Sequence, residues 1–401
     1  MPTNNYCIGL DIGLRKITCM VGEKEKNGMK INAVGESSAK GINRKGIITD
    51  NNLFKNSVRE AIKQAEVIVG KTIRSSVLSL SGSYISVVNG VSNIDIQGKK
   101  ITENDIKRAI NVVKKNLTDK GYFNNKAVLK ALPYKFIING SEEVNNPNGL
   151  NADNLIVEIN FIIADSRKIS DIIQVMNSIN IRIDNFIPGH YATGKGSIPN
   201  DIYNEIVGVI DFGAGMTKVS VFRFGKFEFM DTVYYGFDKI NDDVASMCRT
   251  TFSDAERVKR SLSVELFLDR IDKSETISVK DTNGKLSRKI SKLEFNKIVE
   301  ARVEELFSLA INKMEQAPSF KKISNLVVTG GGANIKDFIP YLENIVGLPI
   351  ILGIPKPIHS VDDKVENPMF TQPYGVLCVS CKNNYLDDGK RWQEIFKKMF
   401  K

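Results

Sequence analysis

A chain of 401 residues with 42% hydrophobic content exceeds what one core ordinarily supports, so at least two lobes are expected. Its formal charge of +10 favours anionic partners, but no basic stretch interleaved with aromatics, zinc-finger spacing or RNP-like strand occurs, which argues against nucleic acid. Apolar runs stay short of the ~20 residues that span a bilayer, and five cysteines with no secretory leader before them suit a reducing cytoplasm without a disulfide framework.

In chain order, three strands come first, Tyr6–Asp11, Lys16–Glu23 and Ile31–Glu36, with a turn over 22–28, and they read as an antiparallel meander. Behind the capping candidates Thr49 and Asp50, residues Leu53, Val58, Ala61, Ile62, Ala65 and Val69 recur at helical spacing, and Ser76–Leu80 returns as a strand. Near Ser81-Gly82-Ser83 the pattern shifts to an α+β block, read as an inserted module over 83–165, and Ile169, Ile172, Ile173, Met176 and Ile179 then mark another amphipathic helix. Residues 206–235 repeat the opening logic: a strand into Asp211, a strand Thr217–Phe224, a turn at Gly225 and a strand Phe227–Tyr235. The chain therefore reads as two duplicated lobes. From 236 to 307 it is helical, polar and basic with a loop or hairpin over 274–287, a second insertion; the fold resumes at Ser324. Ile350–Pro357 reads as a connection and Tyr374–Cys381 as a buried helix. Cys378-Val-Ser-Cys381 has zinc spacing, but with only His190 and His359 in the chain it is read as packing, because a structural zinc needs four good ligands.

Candidate chemistry concentrates in three short loops. Asp11-Ile-Gly13 and Asp211-Phe-Gly-Ala-Gly215 each end an apolar strand with a carboxylate that can hold a metal-bound water, followed by glycines that let backbone N–H groups approach phosphate oxygens. Asn325–Thr329 runs into Gly330-Gly331-Gly332-Ala333, a bare backbone against which a flat base or ribose can lie. Ser253-Asp-Ala-Glu256, with Lys259 one turn on, has the form of a helix-capping box as well as of a ribose-contacting pair.

The last segment differs in character. After a polar linker over 383–389, Trp392, Ile395, Phe396, Met399 and Phe400 fall within an arc of roughly 140° on a helical wheel. Lys390, Arg391, Lys397, Lys398 and Lys401 take the other side, the pattern of an in-plane helix drawn to anionic lipid rather than one docked on its own lobe. One such helix binds reversibly, whereas side-by-side copies in an oligomer gain avidity, so the tail suits a polymerising host.

Gly9-Leu-Asp-Ile-Gly13 with Lys16, Val209-Ile-Asp-Phe-Gly-Ala-Gly215 with Thr217, the insertion segments Val128–Pro133, Tyr134–Asn139 and Asn146–Leu150, and the basic tail together resemble the FtsA family of bacterial cell-division proteins. The resemblance implies an α/β, actin-like (ribonuclease-H-like) two-lobed fold. In its terms, 1–82 with 166–196 form the first lobe core, 83–165 subdomain 1C, 197–235 with 308–382 the second lobe core, 236–307 subdomain 2B, 383–389 a linker and 390–401 a membrane-targeting helix. It implies ATP with Mg2+ as ligand, with Asp11 and Asp211 facing the metal through water. Gly13, Leu14, Arg15 and Lys16 would cradle phosphates from one side and Gly213, Ala214, Gly215, Met216 and Thr217 from the other. Gly236 would lie in the segment closing over them, Glu256 and Lys259 at ribose and base, and Gly330, Gly331, Gly332 and Ala333 beside adenosine. Implied partners are the FtsZ C-terminal peptide on the 2B region, further copies of the chain in filaments, anionic lipids on the cytoplasmic membrane face at the division site, and other divisome proteins. Leu14 replaces a usual hydroxyl, Lys218 a usual acid and Asn241 a common Thr. With no general base or water-positioning Gln evident, ATP is expected to act chiefly as a structural ligand with slow or absent turnover. Two alternatives share the clamp: a type IV pilus scaffold of the PilM type and a sugar- or acetate-kinase-type phosphotransferase.

Overall fold

A computed structural model describes residues 6–261, 264–285 and 287–381. The chain opens with strands β1 (Cys7–Ile12), β2 (Lys16–Glu25) and β3 (Gly28–Ser38), helix α1 (Asn51–Val69) and strand β4 (Ser75–Leu80). Asp50 caps α1 by accepting from the backbone N–H groups of Asn52 and Leu53, and the helix buries Phe54, Val58, Ala61, Ile62 and Ala65 on one face. Strand β5 (Ile85–Asp95), helix α2 (Glu103–Asp119) and strands β6 (Lys126–Ile138), β7 (Glu142–Val144) and β8 (Asn154–Asp165) follow, then α3 (Ser166–Ser178), β9 (Arg182–Pro188) and α4 (Gly189–Ser197). The second half holds β10 (Ile206–Phe212), β11 (Thr217–Arg223), β12 (Lys226–Val233), α5 (Asp238–Met247), α6 (Phe252–Ser261), β13 (Thr276–Lys280), β14 (Ser287–Ser291) and α7 (Lys292–Met314). It closes with β15 (Asn325–Thr329), α8 (Phe338–Val346), β16 (Ile350–Leu352), β17 (His359–Ser360) and α9 (Thr371–Ser380).

Two sheets repeat one construction. The first runs β17-β3-β2-β1-β4-β9 and the second β12-β11-β10-β15-β16. In each, an antiparallel meander is extended by parallel strands, β1 beside β4 and then β9 in one, β10 beside β15 and then β16 in the other. Strand β10 is buried along its whole length, as a central strand covered on both faces must be. Between β4 and α3 lies a separate four-stranded sheet, β5-β8-β6-β7, with its own core of Ile94, Val113, Phe136, Val157 and Phe161. The hairpin β13-β14 stands between α6 and α7, where the sequence leaves a choice of loop or hairpin.

Three features depart from expectation. The first turn is narrower than 22–28: β2 runs on to Glu25 and pairs with Gly28, because the hairpin tip carries charged residues that need no core to cover them. Strand β17 and helix α9, grouped by sequence with the second lobe, pack on the first sheet. There β17 pairs in parallel with β3, and Phe370, Tyr374 and Leu377 pack with Met20, Met29 and Ile31. The same packing corrects the cysteine reading. Cys7 on β1 and Cys381 just after α9 form a disulfide with Cα atoms 5.2 Å apart at a sequence separation of 374, a distance along the chain at which spacing carries no signal. Cys378 is not its partner, and the cysteine count therefore ceases to argue for a reducing compartment.

Candidate functional site

The two glycine loops are built alike. After the pair Ile12↔Ile17 the first loop closes with Gly13 N–H donating to Lys16 O at 3.0 Å; after Phe212↔Thr217 the second closes with Gly213 N–H donating to Met216 O at 3.1 Å. A Cβ on Gly13 would sit 2.6 Å from Lys16 O and one on Gly213 2.8 Å from Met216 O, so both turns require glycine. Both loops open on one cleft of about 1130 Å3 between the sheets. Asp11, Gly13, Leu14, Arg15 and Lys16 line one side of it, and Asp211, Gly213, Ala214, Gly215 and Met216 the other. Gly330, Gly331 and Gly332 form a further wall, with Glu256 and Lys259 beyond them. Gly330 has φ 89° and a Cβ there would meet Asp211 Oδ1 and lie 2.7 Å from Phe212 O; one on Gly332 would lie 2.7 Å from the Phe237 ring. Beside Gly331 the space is open.

Three residues expected at the site do not line the cleft. Thr217 is fully buried with its hydroxyl 3.1 Å from Tyr235 O, Gly236 packs beneath the carbonyls of Gly213 and Ala214, and Ala333 is buried in the turn after the glycines. Two cations on the first loop are already engaged across the cleft or along its edge. Arg15 makes a forked pair with Asp238 at 2.8–3.1 Å, joining the first loop to α5, and Lys16 pairs with Glu36 while lying 3.9 Å over the Phe370 ring. Burial pushes the Glu36 carboxyl up, but Lys16 and Lys364 outweigh it and hold the group below its ordinary value.

Helix α6 starts two residues earlier than a Ser253 cap allows: Thr251 Oγ1 accepts from Asp254 N–H at 3.1 Å, so the capping box does not form. Glu256 is thereby free to bind Lys259 at 3.1 Å, Arg260 at 2.6 Å and the amide of Asn241. Burial raises its carboxyl, yet Lys259 and the hydrogen bonds from Lys259, Asn241 and Arg260 carry it down to about 2. Lys259 is half-sequestered too, and burial keeps its ammonium below the usual range despite Glu256.

At the inner end of the cleft sits a polar cluster of which sequence reasoning caught the two carboxylates and Lys218 but not Gln372. Gln372, the second residue of α9, donates through Nε2 to Asp11 Oδ1 and, at 3.1 Å, to Ser79 Oγ, while its Oε1 accepts from Lys218. Lys218 Nζ also lies 2.6 Å from Asp211 Oδ2, which accepts from Thr193 Oγ1 at 3.0 Å. Burial pushes the Asp11 carboxyl above its ordinary value, and Lys218, Ser79 and Gln372 pull it back. No water-positioning Gln is evident in the sequence, and the structure brings Gln372 to the cluster. Gln372 lies between the two aspartates, although both ends of its amide are taken by protein groups. Its position depends on α9 returning to the first sheet, which no local pattern signals. Lys218, by contrast, was legible: a four-residue loop after Phe212 places it directly opposite Asp211 on the next strand.

Two family models match the chain: "Cell division protein FtsA" over residues 208–375 and "SHS2 domain inserted in FTSA" over 82–163. The chain belongs to the FtsA family. Among curated FtsA proteins it is 26% identical to that of Neisseria meningitidis serogroup B over 94% of this chain and 90% of the relative. The figures for Bacillus subtilis FtsA are 25%, 96% and 85%. Among solved structures it resembles a PilM-PilN type IV pilus biogenesis complex at 13% identity, with TM-score 0.63 over 94% of this chain and 98% of that one. It also resembles MreB 5 of Spiroplasma citri bound to AMPPNP at 14% identity, with TM-score 0.53 over 100% and 99%. The fold is actin-like, as expected, and the four-stranded insertion β5–β8 occupies the stretch that matches the SHS2 model.

Measured against the FtsA pattern, the departures noted in the sequence have definite structural roles. Leu14 fills the space beside Gly215, where an added Cβ would lie 2.6 Å from Leu14 Cδ1, so the two loops touch through an apolar contact in place of a hydroxyl. Asn241 is fully buried and serves Glu256. Lys218 bears on the metal. A divalent cation held through water by Asp11 and Asp211 needs carboxylate oxygens turned to its hydration shell, yet Asp211 Oδ2 already faces an ammonium and Asp11 Oδ1 an amide and a hydroxyl. A second cation would meet direct repulsion from Lys218, so these residues do not fit the Mg2+ that the family resemblance implies. The tail over 390–401, with the linker over 383–389, lies outside the described residues. Among the described residues no helix is long and apolar enough to cross a membrane.

Proposed function

We propose that this FtsA-family chain binds ATP between its two glycine loops, assembles into filaments on the cytoplasmic membrane face at the division site, and holds FtsZ filaments there while other divisome proteins are recruited. The observation that carries the nucleotide part is that two loops of the same construction, each ending a buried strand in an aspartate, open on one cleft whose third wall is the bare backbone of Gly330–Gly332. Backbone N–H groups at such turns suit phosphate oxygens, and a wall without side chains suits a flat adenosine. Glu256 and Lys259, an ion pair one turn apart on α6 that lines the same cleft, supply the ribose and base contacts in this reading. Support also comes from MreB 5, whose similar fold is bound to AMPPNP. Turnover is expected to be slow, because Gln372 has both ends of its amide occupied by protein groups. ATP then acts as a ligand that draws the lobes together.

The tethering part rests on the family and on the basic amphipathic pattern of Lys390–Lys401, with the 236–307 insertion as the seat of the FtsZ C-terminal peptide and 83–165 as a self-association surface. Co-sedimentation of the full chain and of Phe396→Glu with anionic liposomes, with and without ATP and followed by electron microscopy, tests anchor and polymer together. Binding lost in the variant and ordered arrays on vesicles for the intact chain are expected. Failure of both chains to bind would remove the anchor and leave the PilM-like scaffold, whose fold this chain shares, as the better reading.

A further inference from the structure

Lys218 is a buried ammonium at the inner end of the cleft, and it lines the same space as both loop aspartates. Its partners are fixed: Asp211 Oδ2 at 2.6 Å, Gln372 Oε1, and through that amide the carboxylate of Asp11. Strand register dictates this placement, since Lys218 is the cross-strand neighbour of Asp211 and their side chains share one face. At the equivalent position of the first sheet, opposite Asp11, stands the neutral Thr18. The cluster thus carries two carboxylates and one built-in cation where the fold otherwise calls for a cation from solution.

We propose that the Lys218 ammonium takes the electrostatic place of the divalent cation in this cleft, so that the chain binds a nucleoside triphosphate as the free polyphosphate anion, without magnesium. An ammonium is a compact point charge with three donors. Anchored by Asp211 and Gln372, it neutralises one aspartate and presents positive charge to the space between the loops, which a bound phosphate chain would otherwise share with two carboxylates. A fixed ammonium also cannot lower the pKa of a bound water as a metal does, which accords with slow turnover.

The inference rests on the nucleotide reading above, and equilibrium titration of the full chain with ATP, in excess magnesium and in excess EDTA, separates the two. The expected result is saturable binding whose affinity differs by less than about threefold between the two conditions, while Lys218→Gln loses about tenfold or more in EDTA and regains it with magnesium, the scale of one charge-assisted contact. Wild-type binding that strengthens about tenfold or more with magnesium overturns the inference and leaves the nucleotide reading intact. Absence of saturable binding in both conditions overturns both. The wild-type comparison decides the matter by itself should Lys218→Gln not fold.

Discussion

The two glycine loops share strand order, turn closure and the placing of an aspartate, but they differ in what stands opposite that aspartate: Thr18 beside Asp11 and Lys218 beside Asp211. Parallel neighbours match more closely, Ser79 beside Asp11 and Thr329 beside Asp211. A duplicated fold therefore conserves backbone geometry far better than it conserves charge, because the turn is set by glycine sterics and register while the side chain across the strand is open to change. One loop keeps its carboxylate through neutral hydrogen bonds, the other through an ion pair. Which loop is more sensitive to charge follows directly.

The largest effect is expected at that difference. Lys218→Gln leaves Asp211 buried without its countercharge and should cost about 3–5 kcal/mol in urea unfolding, with much of it recovered in Lys218→Gln/Asp211→Asn. Thr18→Val, the same site in the other loop, should stay within about 1 kcal/mol. Equal losses at the two positions would mean that the ion pair contributes nothing distinctive. His190 gives the next effect. It is buried near Lys218, and burial together with that ammonium lowers its pKa from 6.5 to about 4. Below pH 6.5 the unfolded chain takes up a proton that the folded one refuses, so stability is complete above 6.5 and is lost as pH falls toward 4. About 2 kcal/mol should disappear between pH 6.5 and roughly 5, and His190→Gln should flatten that slope in pH-dependent denaturation curves.

Much of this was legible in the sequence for a physical reason. Both meanders, α1 and the Asp–Gly loops show as periodicity and punctuation, and the turn length fixes the register that sets Lys218 against Asp211. What could not be read depends on distant chain segments meeting. Gln372 reaches the cluster only because α9 crosses back to the first sheet, and Cys7 meets Cys381 by the same return. Asp238 was missed because its partner Arg15 lies 223 residues away across the cleft. The capping-box pattern at Ser253 misled because Thr251, two residues earlier, offered the same hydroxyl and won.

The glycines of the third wall test whether steric need is as local as the two-loop comparison suggests. Gly330→Ala forces a side chain into left-handed backbone at φ 89° and against Asp211, so a loss of about 1–3 kcal/mol and weaker ATP binding are expected. Gly331→Ala, next to it but facing open space, should fold with little change. Any stability loss in Gly331→Ala as large as that in Gly330→Ala would show that flexibility, not clearance, is what the glycine run supplies.

The smallest effect should come from the contact that joins the loops' two halves. Arg15 reaches from the first loop to Asp238 on α5 with a forked geometry, but its side chain is 47% exposed, so solvent screens most of the attraction. Arg15→Ala should therefore cost no more than about 1 kcal/mol of stability, less than any substitution around Lys218. Its readout is motion. Without the fork, amide hydrogen exchange should quicken in the 13–16 and 236–240 segments before it does so in β10, and added ATP should restore protection if the nucleotide bridges the same gap. Unchanged exchange in both segments would show that the lobes are held by the buried cluster at Gln372, which ties Asp11 to Lys218 without crossing solvent, and that Arg15 only decorates the mouth of the cleft.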